Sequence, residues 1–255
     1  MLFQNENTMN NLKYSTISPN DDMLHNNNIT HYESVGRELA EYVKKSATDL
    51  HQCYILELPC GHGRVTRWLK AYADEMHFNL HSYDVLPDAI DFQRKYINPC
   101  SYLISPPFTE YNEIKDRMYD IAVMGSLITH LSEADSCKIL SEISNKLKHD
   151  SKFIITTHGM RSYQKLKLSN IYQTSEEDRE VLIKKFESDE FGFVTYKKDH
   201  SLEARTTDFI GDSYGISIIP PIWIKRQLDS LGFECVESVE GGWDNHQDVF
   251  IFKKL

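Results

Sequence analysis

A chain of 255 residues, 40% apolar and carrying 14 Tyr, 12 Phe and 3 Trp, is long enough for one large domain or two small ones and can fill a real core. Its formal net charge of −10, with no basic block, argues against bulk nucleic-acid binding, which needs clustered Lys and Arg to neutralise phosphates. Its five Cys form no CxxC pair and are odd in number, which suits free thiols in a reducing compartment better than a disulfide scaffold.

Residues 1 to about 29 are polar and Asn-rich, with Asn26-Asn27-Asn28 in a row. They read as a flexible arm. A sharper reading is a lid that orders over a ligand, anchored by Tyr14, Met23 and Leu24. The opening M-L-F-Q-N-E-N lacks a basic and then apolar leader pattern, and no apolar run reaches bilayer length. The expectation is a cytoplasmic protein with no membrane span.

From Thr30 to about Ala47 the pattern is helical. Thr30 can cap, Glu33 can complete a capping box, and Val35, Leu39 and Tyr42 form one stripe. Tyr54 to Leu58 reads as a buried parallel strand. It enters a tight turn carrying Gly61 and Gly63, and a helix follows with Val65, Trp68, Leu69 and Tyr72 on one face. Asn79 to Val85 is a second strand, ending in Asp84. Pro87 opens a helix with Ala89, Phe92 and Tyr96 on a face. Ser101 to Ser105, stopped by Pro106-Pro107, is a third strand, and Tyr119 to Gly125 a fourth. Ser132 caps a helix with Asp135 at the third helical position and Cys137, Leu140, Ile143 and Leu147 facing in. Lys152 to Thr157 is a fifth strand, running into His158-Gly159.

Strand alternating with helix five times means a parallel sheet with helices on both faces. Ligands of such sheets bind outside the carboxyl ends of the strands. That position singles out Glu57, Cys60, His62, Asp84, Ser105, Gly125, Ser126, His130 and His158. The alternation then breaks. Residues 160 to about 220 are too long for a simple connection. They hold a charged helical piece, about Ser175 to Glu187, and strand-like runs at Phe193 to Lys197, Ala204 to Phe209 and Tyr214 to Ile219. They read as an insertion capping the site. Pro221 opens a last helix with Ile224, Leu228 and Leu231 facing in, closed by Gly232. Strands at about Glu234 to Val239 and Asp248 to Lys253 end the chain. The expected architecture is α/β, a doubly wound seven-stranded, mostly parallel sheet with a C-terminal antiparallel hairpin.

A strand, a Gly-rich turn and a helix present free backbone N–H groups at a helix N-terminus. Dinucleotide enzymes want G-x-G-x-x-G there, and Thr66 takes the place of the third glycine, which counts against NAD. Asp84 ends the second strand, where a carboxylate can accept from ribose hydroxyls. NAD and S-adenosylmethionine share that need. The terminal hairpin is foreign to the dinucleotide fold.

The segments L-E-L-P-C-G-H-G-R-V-T-R, Y-D-V, G-S-L-I-T-H-L, T-T-H-G, Y-G-I-S and G-W-D-N-H-Q-D-V, in this order, resemble a bacterial group of class I S-adenosylmethionine-dependent methyltransferases. The resemblance covers roughly Thr30 to Lys253 and implies a methyltransferase domain over residues 30–255, behind the arm of residues 1–29, with S-adenosylmethionine as cofactor. By position it implies that Glu57, Gly61 and Gly63 cradle the methionine part. Asp84, with Val85 beside it, meets the ribose, and Gly125 and Ser126 line the floor beneath the sulfonium. The chain departs from the family pattern after the third strand, where Ser105-Pro106-Pro107 replaces the acidic residue that many class I enzymes offer the adenine amino group.

Methyl transfer from a sulfonium asks the enzyme mainly to align the reactants and exclude water. A hydroxyl acceptor also benefits from a base, usually His. The candidates are His158, at a strand end, and His246, in a polar hairpin with Trp243, Asn245 and Gln247, with Asp244 and Asp248 as orienters or alternative bases; the expected base is His158 or His246. His130, at a helix start, is a third candidate, expected to pack or cap rather than to catalyse. Tyr32, His130, Tyr214 and Trp243 are expected toward the acceptor, and Tyr163, Tyr196, Tyr214 and Trp243 form either an aromatic wall or the core of the cap. Cys60 reads as a small residue fitting the turn rather than a nucleophile. No ligand spacing matches a metal pattern. The function read from the chain is O-methylation of a small molecule or glycan. Its rivals are an NAD(P)-dependent oxidoreductase and a non-catalytic S-adenosylmethionine-binding scaffold.

Overall fold

The structure, a computed structural model, describes residues 13–106, 110–196 and 214–255. The first part of the chain runs α1 (Ile29–Ser46), β1 (Tyr54–Glu57), α2 (Thr66–Met76), β2 (Asn79–Asp84), α3 (Pro87–Tyr96), β3 (Ser101–Leu103), β4 (Tyr119–Met124), α4 (Glu133–Lys146) and β5 (Leu147–Thr157). It continues through α5 (Met160–Leu168), α6 (Glu176–Glu187), β6 (Gly192–Thr195), β7 (Gly215–Ile218), α7 (Pro221–Ser230), β8 (Phe233–Trp243) and β9 (Gln247–Lys254).

Seven strands form one sheet in the order β3-β2-β1-β4-β5-β9-β8. β1 to β5 are parallel, and β9 enters antiparallel between β5 and β8. This is the expected α/β sheet with its terminal hairpin, and the antiparallel β9 separates it from an all-parallel dinucleotide sheet. Chain direction across the sheet reverses between β1 and β4, so the carboxyl ends of β1, β2 and β4 open on a common crevice. β6 and β7 pair antiparallel as a separate ribbon. The strand expected over Ala204 to Phe209 lies outside the described residues.

Strand residues alternate between two cores, as period 2 requires. Leu56, Ala122, Phe153, Ile155 and Phe250 pack with Ile139, Leu140 and Ile143 of α4 and Ile224 and Leu228 of α7. Ile55, Ile121, Val123, Ile154 and Val249 pack on the other face with Val35, Leu39 and Val43 of α1 and Leu69 and Ala73 of α2. Each fully buried Val, Leu, Ile or Phe among them contributes about 1.5–3 kcal/mol. A satellite cluster of Leu166, Leu182, Phe186, Ile216 and Ile218 holds α5, α6 and the ribbon together.

Several local expectations are corrected. The cap of α1 is Asn28, whose Oδ1 accepts from the His31 N–H at 3.1 Å, and not Thr30. The inner face of α3 is Ala89, Ile90 and Gln93, while Tyr96 is exposed. β5 begins at Leu147, directly out of α4. α5 was not expected; the Asp248 carboxylate caps it, accepting from the N–H groups of Met160 at 2.6 Å and Arg161 at 3.2 Å. Ser132 caps α4 as expected, and Ser175 caps α6.

Of the expected arm, residues 13–28 are described. Tyr14 Oη donates to Asp74 of α2 at 2.5 Å. Arg67, fully buried, donates from Nη1 to the carbonyls of Tyr14 at 3.2 Å and Thr16 at 3.0 Å and from Nε to Gly63 at 2.9 Å. It thereby joins the arm to the glycine turn. Among the described residues no helix is long and apolar enough to cross a membrane. The five cysteines are free.

Candidate active site

The crevice is a cleft of about 550 Å³, a volume typical of small-molecule sites. β1 ends at Glu57, buried at the cleft wall. Its Oε1 accepts from the Thr66 hydroxyl at 3.0 Å and its Oε2 from the Ser82 hydroxyl at 2.8 Å. Burial pushes its pKa up to about 8. β2 ends at Asp84, which ties the turn to the sheet: Oδ2 accepts from the Gly61 N–H at 2.7 Å and Oδ1 from the Leu86 N–H at 3.0 Å. Burial raises its pKa despite these bonds. From α3, Gln93 Nε2 reaches the carbonyls of Cys60 at 3.3 Å and Gly61 at 3.1 Å and the Thr66 hydroxyl at 2.8 Å. Gly61 and Val85 line the cleft; Gly63 does not. A Cβ at Gly63 would lie 2.3 Å from Ile97 Cδ1, and its φ is +93°. Glycine at 63 answers packing and backbone conformation.

Gly125 and Ser126 leave β4 on the same cleft. A Cβ at Gly125 would stand 2.8 Å from Leu39 and 3.3 Å from Trp243. Ser126 adopts φ +58°, costly for a residue other than glycine. Thr156 and Gln247, bonded to each other, hold it. Its N–H donates to Thr156 Oγ1 at 2.8 Å, Gln247 Nε2 donates to its Oγ at 2.8 Å, and Thr156 in turn donates to Gln247 Oε1 at 2.6 Å. Trp243 lines the cleft and donates from Nε1 to the Val35 carbonyl at 2.8 Å.

Beyond Ser126, the short turn Ile128–His130 sets His130 into the cleft wall. Its Nδ1 lies 2.8 Å from Tyr196 Oη and 3.2 Å from the Gly215 carbonyl of β7. A carbonyl only accepts, so Nδ1 carries the proton and Nε2 keeps its lone pair. Burial lowers the pKa to about 4, so the ring is neutral at pH 7. Tyr214 stacks on it with centroids 5.3 Å apart.

His158, His246 and Asp244 do not line the cleft. His158 is buried behind His130, edge-on at 5.9 Å, with Nδ1 3.1 Å from the Ser217 carbonyl. His246 packs behind His158 at 5.1 Å, 3.3 Å from Tyr172 Oη. Burial lowers both pKa values. Asp244 is exposed and pairs with His31 at 2.8 Å. Tyr32 is buried below the cleft and donates to Asp21 Oδ2 at 2.5 Å, holding the segment whose Asp21, Asp22, Met23 and His25 border the opening. Tyr214, Trp243 and His130 do line it. Gln247, Gln93 and Arg67 were not read from the sequence as site-building residues. Their signal is a polar side chain on a face otherwise apolar. Among the described residues no group of three His, Cys, Asp or Glu is placed to hold a metal ion.

Residues 56–155, which include the glycine turn, Asp84 and Ser126, match the family described as a methyltransferase domain. By sequence, no curated protein matches this chain. Among solved structures, it is similar to a protein of Pyrococcus horikoshii (TM-score 0.61, 18% identity, covering 90% of this chain and 94% of that one). It is also similar to a SAM-dependent methyltransferase of Methanosarcina mazei (TM-score 0.57, 15% identity, 84% and 97%). A third is the 1,6-didemethyltoxoflavin-N1-methyltransferase of Burkholderia thailandensis, solved with 1,6-didemethyltoxoflavin and S-adenosylhomocysteine (TM-score 0.54, 14% identity, 89% and 81%). At these identities the likeness is one of fold. With the domain match, it supports a class I methyltransferase, an enzyme that uses S-adenosylmethionine.

Proposed function

We propose that the protein methylates a hydroxyl of a small molecule or glycan, with His130 as the proton acceptor. The observation that carries this reading is the His130 ring itself, neutral, on the cleft wall, with Nδ1–H held by the Gly215 carbonyl and Tyr196. The residues around the cleft fit the cofactor. Asp84 would offer its carboxylate to ribose hydroxyls, Glu57 and Gly61 line the cleft and are assigned to the methionine part, and Gly125 and Ser126 to a floor that admits no Cβ at Gly125. S-adenosylmethionine supplies a methyl group already activated on sulfur.

A hydroxyl acceptor is a poor nucleophile until its proton leaves, and a neutral imidazole whose Nε2 keeps its lone pair, 3.5 Å from Ser126 Oγ, takes that proton. A neutral amine brings its own lone pair and asks for no such base. The aromatic rings of Tyr196 and Tyr214 beside His130 offer apolar faces to a flat or sugar ring, and the β6–β7 ribbon shields that end from water. His158 and His246 support His130 from behind as neutral packed rings.

Calorimetric titration with S-adenosylmethionine, S-adenosylhomocysteine and NAD(P)H tests the cofactor. The first two should bind, and Asp84→Ala should weaken them by about tenfold or more. Binding of NAD(P)H alone would sink the reading. S-adenosylhomocysteine release in the presence of hydroxyl-bearing acceptors, absent with their methyl ethers, tests the reaction; binding without release from any acceptor would point to a scaffold.

A further inference from the structure

Ser126 is held where serine is costly. Its φ of +58° is one that glycine takes freely, and strain of this kind gathers at active sites. The surroundings of its hydroxyl show what the side chain does there. The Ser126 N–H donates to Thr156 Oγ1 at 2.8 Å, and Thr156 donates in turn to Gln247 Oε1 at 2.6 Å. That chain turns Gln247 Nε2 toward Ser126, where it donates to Oγ at 2.8 Å. Thr129 Oγ1, fully buried and 3.0 Å away, meets no other hydrogen-bond partner among the described residues, so its proton also points at Ser126 Oγ. Both lone pairs of Oγ are then engaged, and only its own proton is left to give. The polar neighbour that remains is His130 Nε2, at 3.5 Å.

Two oxygens therefore fix the tautomer of His130 from opposite sides of the ring. The Gly215 carbonyl, 3.2 Å from Nδ1, can only accept and requires a proton on that nitrogen. The Ser126 hydroxyl, with its lone pairs engaged, can only donate and requires a bare Nε2. Tyr196, 2.8 Å from Nδ1, suits either tautomer, because a phenol both donates and accepts. A base must offer its lone pair to the substrate. A separation of 3.5 Å is long for a hydrogen bond, so an acceptor hydroxyl can displace Ser126 from Nε2 at low cost.

We propose that Ser126 is a positioning residue for the base: its hydroxyl, oriented by Gln247 and Thr129, keeps the Nε2 lone pair of His130 bare and available to the acceptor. This rests on the reading of His130 as the proton acceptor. Ser126→Gly removes the hydroxyl in a residue that adopts this backbone freely, and Ser126→Ala removes it while keeping the strain. Heteronuclear NMR of the full chain carrying isotope-labelled histidine reads the ring directly, with the His130 signals assigned by their loss in His130→Phe. The wild type should show a protonated Nδ1 and a bare Nε2. Both Ser126 variants should add the Nε2–H form, and their turnover should fall by about five- to tenfold with S-adenosylmethionine affinity unchanged. Variants that keep His130 wholly in the Nδ1–H form overturn the proposal, even where turnover falls. So does a fall in turnover matched by a fall in cofactor affinity, which makes Ser126 part of the cofactor floor. Neither result touches the reading of His130 as base. That reading falls if His130→Phe keeps its turnover, and the role of Ser126 falls with it.

Discussion

The two walls of the cleft are built by different means. The strand-end wall is a set of carboxylates held by short hydrogen bonds: Glu57 by two hydroxyls, Asp84 by two backbone N–H groups. The cap-side wall is a stack of neutral rings, His130 against Tyr214 and His158, and His158 against Tyr172 and His246. Burial acts on both, and with opposite sign. It favours the neutral form, so it raises the pKa of the carboxylates and lowers that of the imidazoles. The cleft therefore joins a wall that resists losing protons to one that resists gaining them, and His130 stays unprotonated at neutral pH.

The largest expected effect breaks the walls apart functionally. His130→Phe keeps a ring in the stack and removes the base. Turnover should fall by about a hundredfold to ten-thousandfold while cofactor affinity stays as it was. If cofactor affinity falls in step with turnover, the walls are not separable. Activity of the wild type should also hold as pH drops through 6.5 and fail only toward pH 4, where His130 protonates.

The next effects sharpen the sign difference. The folded pKa of Glu57, about 8, is above its ordinary 4.5, so its stabilisation is present at low pH and lost as pH rises through 8. Glu57→Gln does not titrate. Between pH 6 and pH 9 the wild type should lose roughly 2–3 kcal/mol of stability relative to this variant in urea unfolding. The folded pKa of His130, about 4, is below its ordinary 6.5, so its stabilisation is present above 6.5 and lost as pH falls. Between pH 7 and pH 4 the wild type should lose on the order of 3 kcal/mol relative to His130→Phe. Parallel rather than opposite trends in the two variants would refute the contrast.

What could be read from the sequence divides along the same line. The strand-end wall is written locally. Apolar runs of period 2, the Gly61 turn and a carboxylate at the end of β2 lie within about thirty residues, and each sits where the pattern put it. The cap-side wall depends on partners far apart in the chain. α5 escaped notice because its cap, Asp248, lies 88 residues from Met160. The Ser126 backbone is held by Gln247, 121 residues away. His158 does end its strand as expected, but β7 passes over it, and the Ser217 carbonyl takes its Nδ1 side. His130, read as a residue that opens a helix, is turned into the cleft because Gly215 and Tyr196 of the ribbon hold its ring. Short-range periodicity carries no information about such contacts.

The arm over residues 13–28 gives the smallest effect and a third kind of contact. It crosses to the strand-end wall through buried Arg67 and through Asp74, an acceptor for Tyr14, Lys13 and Lys70 on the protein surface. Surface pairs of this kind are worth about 0.2–1 kcal/mol, because solvent screens them and long side chains lose freedom in making them. Asp74→Ala should therefore leave the fold and the resting affinity of the acceptor end intact. It should quicken S-adenosylhomocysteine release by about two- to fivefold, read by stopped-flow fluorescence. A fivefold gain would mean that Asp74 holds Asp21 and Met23 at the mouth of the cleft; no change would leave that task to Arg67 and Tyr32, whose bonds to the arm are buried or partly buried and which tie it to the glycine turn.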